Sequence, residues 1–175
     1  LWQGDIARLA ADAVVNAANS ALLGCFIPHH KCIDNVIHSR AGVQLRLDCS
    51  RIMGMQGEPE PAGCAKITLG YNLPAKYVIH TVGPMVGVKP TETDARTLRN
   101  CYVSCLNLAR EMNLKSIAFC CISTGVFGYP NDEAAEIAVG AVRNWLLETG
   151  YDIKVVFDVF LDKDRAIYAD ILKNL

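Results

Sequence analysis

The chain has 175 residues, of which 51% are hydrophobic and 20% charged, with a formal net charge of -1. That length and apolar content suit one domain with a sizeable core and exclude a disordered chain. The near-zero charge excludes a broad basic face, and so argues against a nucleic-acid partner. No apolar run approaches the roughly 20 residues of a membrane helix, so no membrane partner is expected. The eight cysteines lie scattered through apolar runs of a chain that needs no covalent staples. A reduced, cytoplasmic protein is the expectation.

Taken in chain order, LWQGDI reads as the end of a strand, so an N-terminal part is expected to be missing. DAVVNAA is rich in β-branched and small apolar residues, as a buried strand requires. It carries Asn16 and leads to Asn19. Either asparagine by itself reads first as a residue satisfying backbone groups in a turn.

GCFIPHHKCIDNVIH follows. Cys25, His30 and Cys32 form C-x4-H-x-C, a thiolate and imidazole set of the kind zinc prefers. Three ligands leave a position open for water or substrate, as in a catalytic site. Alternatively His29 or His38 completes a structural site, or no metal binds; iron or nickel would also suit such ligands. IDNVIHSRAGVQLRLDC reads as a helix with Ile33, Val36, Ile37 and Ala41 on one stripe. Asp34, in its first turn, reads as a cap or as a base or ribose clamp beside the metal.

MGMQGEPEPAGCAK reads as a surface excursion, and YVIHTVGP as a strand. TETDARTLRNCYVSCLNLAREMN opens with Thr91 and Asp94 at capping-box spacing. Its Cys101 and Cys105 read as core residues, as do Cys120 and Cys121 in the expected strand SIAFCCIST. Ser123 to Tyr129 form a glycine-containing turn from that strand into a helix starting at Pro130 and stopping at Gly150. Loop N–H groups there suit a phosphate, although an ordinary turn fits the same residues. IKVVFDVF is the last strand and DRAIYADILKNL the last helix. Alternating strands and helices predict an α/β fold with a mixed, largely parallel sheet between helices.

In combination these segments resemble the macrodomain family. The ordered set is GDI at Gly4–Ile6, VVNAANS at Val14–Ser20, AG at Ala41–Gly42, YVIHTVGP, and ISTGVFGYP at Ile122–Pro130. The resemblance spans nearly all of the chain and implies a single three-layer α/β/α macrodomain over residues 1–175, with ADP-ribose as ligand. A longer loop bearing Cys25, His30 and Cys32 stands where relatives carry a glycine run. It resembles that of the zinc-containing branch, microbial enzymes that remove ADP-ribose from proteins.

Residue by residue, the resemblance implies an adenine contact from Asp5, with the Ile6 backbone nearby, and stacking by Phe160, which otherwise reads as a core strand residue. Ser123, Thr124, Gly125, Val126 and Phe127 would cradle the diphosphate. Asn19 would bind the distal ribose and Asp34 would be the catalytic aspartate. One Zn2+ on Cys25, His30 and Cys32 would face that ribose. The implied activity is hydrolysis of an O-linked Asp or Glu ester of mono-ADP-ribose on a protein. A non-catalytic ADP-ribose reader with a structural zinc, and an O-acetyl-ADP-ribose deacetylase, are the alternatives. The branch also implies a sirtuin-type ADP-ribosyltransferase partner. A monomer is expected.

Overall fold

The computed structural model describes residues 1–175. Six strands form one sheet: β1 (Trp2–Gln3), β2 (Ala13–Ala18), β3 (Ala65–Leu69), β4 (Tyr77–Val82), β5 (Ser116–Phe119) and β6 (Lys154–Val159). Their spatial order is β1-β6-β5-β2-β4-β3. Every pairing is parallel except that of β3 with β4. The middle strands carry apolar runs because helices cover both their faces: Val14, Val15, Val78, Ile79, Ile117 and Ala118 are fully buried.

Five helices complete the fold: α1 (Ile33–Ala41), α2 (Val43–Gln56), α3 (Glu92–Glu111), α4 (Asn131–Thr149) and α5 (Asp162–Lys173). α1 and α2 pack together against β2 and β3, while α3, α4 and α5 form a second packed group against β3, β4 and β6. A mixed sheet between two helical layers is the arrangement expected from the sequence.

Local chemistry accounts for the boundaries. At the start of α3, Thr91 accepts from the Asp94 N–H at 3.2 Å and Asp94 accepts from the Thr91 N–H at 2.8 Å, a complete capping box. α4 ends at Gly150, which is left-handed (φ 61°) and donates to the Leu146 carbonyl.

Four expectations need correction. The single helix over IDNVIHSRAGVQLRLDC is two helices, divided at Gly42 (φ 93°), a conformation that side chains disfavour. β3 emerges from the end of the expected surface excursion. That excursion also hides a buried carboxylate, Glu60, paired with Lys66 at 3.0 Å and bonded by Gln56. Cys120 and Cys121 lie just past the end of β5 rather than in it. Cys101, Cys105 and Cys120 are buried as expected, whereas Cys121 is half-buried at a cavity wall.

Candidate functional site

β2, β4, β5 and β6 run parallel and end on the same edge of the sheet. Beyond those ends lies a cavity of about 470 Å³, where an open α/β sheet places its ligand. Ala17 and Ala18 at the end of β2, Asn19 just past it and Gly83 just past β4 contribute to its floor. The loop after β5, the end of β6 and the segment 25–34 form its walls.

The loop after β5 has the geometry of an anion cradle. Ser123 is held in a left-handed conformation (φ 65°) and Gly128 in another (φ 71°). The loop is closed by Tyr129 N–H donating to Ser123 O at 3.0 Å and Gly128 N–H to Gly125 O at 3.0 Å. It is buttressed from outside by Val86 N–H donating to Phe127 O at 2.8 Å. The N–H groups of Thr124, Gly125, Val126 and Phe127 donate to no backbone carbonyl. Successive free N–H groups around a turn form a concavity for a phosphate. Gly83 lies against this loop: a Cβ there would fall 2.0 Å from Ser123 Oγ.

On the opposite wall, the loop from Gly24 turns back at His29 (φ 59°) and brings Cys25 Sγ within 3.3 Å of His30 Nδ1. The donor atoms of Cys25, His30 and Cys32 all lie within 4.8 Å of one another. Zinc bonds of about 2.3 Å to sulfur and 2.0–2.1 Å to nitrogen put neighbouring ligands about 3.5 Å apart, so the donor set and its spacing fit that ion. Neither His29 nor His38 joins the cluster. The loop is tied down from α1: Asn35 N–H donates to Cys32 Sγ at 3.4 Å and Asn35 Nδ2 to the Cys25 carbonyl at 3.1 Å. From α2, the Arg46 guanidinium lies 4.5 Å above the Phe26 ring.

Asp34, buried in the first turn of α1 two residues after Cys32, lines the same cavity. Asn16 Nδ2 donates to its Oδ1 at 2.8 Å, and Asn19 Nδ2 approaches Oδ2 at 3.4 Å. Burial pushes the Asp34 carboxyl above the ordinary range, opposed by the Asn16 hydrogen bond and the charge of Arg46. His38 Nε2 lies 3.5 Å from Asp34 Oδ1. Burial, reinforced by Arg46, drives that imidazole down to about 4. At neutral pH the pair is therefore a neutral ring beside a carboxyl group rather than an ion pair.

Of the residues singled out from sequence, Asn19, Cys25, His30, Cys32, Asp34, Phe160 and the segment Ser123–Phe127 all line the one cavity. Phe160 is 72% exposed at its rim, so it is not a core strand residue. Asp5 and Ile6 are not among the lining residues. Asp5 caps the short 3-10 helix at Ile6–Arg8 and pairs with Arg40 at 2.8 Å. Sequence reasoning did not single out Asp158, whose buried carboxyl faces the cavity with Oδ1 unpartnered. Burial, with the Asp5 charge adding to it, pushes Asp158 up to about 7. Its signal in the sequence was an acid inside the apolar run VVFDVF.

An α/β sandwich with a turn of free N–H groups and a largely apolar cavity beyond its parallel strand ends belongs to the class of open-sheet α/β ligand-binding domains. The Macro domain family model matches residues 15–138, and the chain belongs to that family. A Protein-ADP-ribose hydrolase of Staphylococcus aureus (strain MRSA252) is 58% identical over 171 residues, 97% of this chain and 64% of that protein. One from Treponema medium is 56% identical over 96% of this chain and 64% of its own length. The chain thus spans just under two thirds of the length of these relatives. Among solved structures, a mutant Oceanobacillus iheyensis macrodomain with ADPR superposes with TM-score 0.89 at 38% identity, covering 98% of this chain and 89% of that one. A Trypanosoma brucei macrodomain in complex with ADP-ribose gives 0.84 at 38% identity, covering 98% and 67%. No helix is long and apolar enough to cross a membrane.

Proposed function

We propose that the protein is a zinc-dependent hydrolase that removes mono-ADP-ribose from an O-linked Asp or Glu ester on modified proteins. One observation carries this reading: a thiol–imidazole–thiol cluster, a loop of free N–H groups and the buried Asp34 all line one cavity. The names of the relatives and the ADP-ribose held by two of the similar structures support it.

The diphosphate rests on Ser123–Phe127, whose N–H groups are already oriented and cost little to reorganise. Phe160, at the rim, stacks on the base. Binding energy gathered there holds the distal ribose against the opposite wall. Asn19, whose Nδ2 is also tied to Gly24 O at 3.2 Å, orients the ribose hydroxyls. Asp34 takes the proton of the attacking water or grips a ribose hydroxyl. Hydrolysis breaks the bond between the ribose and the carboxylate oxygen, and water supplies hydroxyl to one fragment and a proton to the other. Cys25, His30 and Cys32 would hold the zinc, which would supply Lewis acidity at this end of the cavity. Writers of the modification would be sirtuin-type ADP-ribosyltransferases.

The test uses a mono-ADP-ribosylated protein with and without a chelator. Release of ADP-ribose that stops on chelation and returns with Zn2+, while binding persists, is the expected result. Binding without release in the presence of metal makes the protein a reader instead. Faster turnover of O-acetyl-ADP-ribose than of the modified protein assigns it to the metabolite.

A further inference from the structure

Asn16 sits in the middle of β2, fully buried, far from any turn. Its side-chain nitrogen meets two partners at once: Asp34 Oδ1 at 2.8 Å and His80 Nδ1 at 3.1 Å. The amide thus presents its NH2 group to both partners, while its own oxygen has no partner. An amide nitrogen does not accept, so His80 Nδ1 must be the bare nitrogen and the ring proton lies on Nε2. That Nε2–H points at Thr68 Oγ1, 3.0 Å away, and Thr68 in turn reaches Val78 O at 3.5 Å. Every donor in the chain Thr68–His80–Asn16–Asp34 is directed by its neighbour, and each of the four side chains is buried.

We propose that Asn16 is a positioning residue: by bonding Asp34 and His80 with its two amide hydrogens, it fixes the rotation of the Asp34 carboxyl so that one oxygen faces the cavity. This rests on the hydrolase reading above. Asp34 stands on the first turn of a helix, where its side chain would otherwise swing between capping its own helix and facing the ligand. Asn16 ties Oδ1 from within β2, and Asn19, one residue past the end of that strand, approaches Oδ2 at 3.4 Å. The shorter of the two anchors therefore rides on the sheet. His80 comes from β4, where it pairs in register with Asn16. Burial drives the His80 imidazole down to about 3, so the ring stays neutral and keeps its accepting nitrogen. No other side chain substitutes for Asn16: serine has one hydrogen to give, glutamine is one methylene too long, and aspartate would place a second carboxylate against the first.

The test compares release of ADP-ribose from a mono-ADP-ribosylated protein by the wild type and by Asn16→Ala, well below the unfolding temperature of either. A kcat reduced by about ten- to a hundredfold, with KM and ADP-ribose affinity within about twofold of wild type, is expected. A merely structural asparagine would lower the melting temperature and leave kcat of the folded protein intact, and that outcome overturns the proposal. Rescue gives a second comparison. His80→Asn keeps an accepting oxygen where Nδ1 stood and should retain most of the turnover, whereas His80→Leu should resemble Asn16→Ala. Equal loss in both histidine variants counts against the chain. Nitrogen-15 spectra supply a readout free of turnover: His80 must carry its proton on Nε2, and a proton on Nδ1 rejects the proposal outright. Absence of release by the wild type removes the hydrolase reading and the kinetic role of Asn16 with it. Release by both proteins at equal rates removes only the latter.

Discussion

Cys25 and His30 meet across 3.3 Å, Sγ to Nδ1, although no hydrogen-bond ladder joins their segments. Their approach comes from the reversal at His29 and from two hydrogen bonds given by Asn35. These contacts gather the donor atoms of Cys25, His30 and Cys32 in one place, which lowers the cost of ordering ligands in a loop segment.

The purified protein should therefore carry close to one zinc per chain by elemental analysis. Cys25→Ala and Cys32→Ala should each lower that content by at least about tenfold at limiting metal. Asp34→Ala should keep the metal and release ADP-ribose more slowly. Metal retained in full by the cysteine variants would remove the loop as its binding site.

Gly83 meets the anion loop from below. In Gly83→Ala the new methyl group would lie 2.0 Å from Ser123 Oγ and 2.8 Å from Ile122 Cγ2. Ser123 is buried with a left-handed backbone, so relieving the contact means turning its hydroxyl within a packed loop. The variant should be destabilised by about 1–3 kcal/mol, the range for overpacking, and should bind ADP-ribose at least about tenfold more weakly. Calorimetry of binding and thermal unfolding measure the two effects. Loss of stability without loss of affinity would show that the loop, as seen, is not what grips the diphosphate.

Asp158 leads to a pH-dependent prediction. Its carboxyl titrates near 7 in the folded protein, against an ordinary value of 3.8. Between those values the folded state keeps a proton that the unfolded state has lost, so stability falls as pH rises, and the full penalty applies above pH 7. Asp158→Asn removes it. The substitution should stabilise the protein by about 2 kcal/mol near pH 8 and have almost no effect near pH 4. Melting temperatures across that range test the sign: a gain independent of pH would show that charge burial is not its source.

The sequence by itself settled most of the elements, though not β3 or the break between α1 and α2, and much of the local chemistry. Apolar β-branched runs, the Thr91–Asp94 box, Gly150 beyond α4 and the close spacing of Cys25, His30 and Cys32 all express themselves through neighbours a few residues away. That is why they were legible. The division of one expected helix at Gly42 was missed because the periodicity runs through it, and only the backbone's left-handed turn breaks it. The tertiary structure alone decided that Asn16 meets His80, 64 residues on, and that Asp158 turns into the cavity. Which residues share a cavity wall depends on the register of parallel strands. Those strands are joined by long crossovers, so their contacts form only when the whole sheet closes.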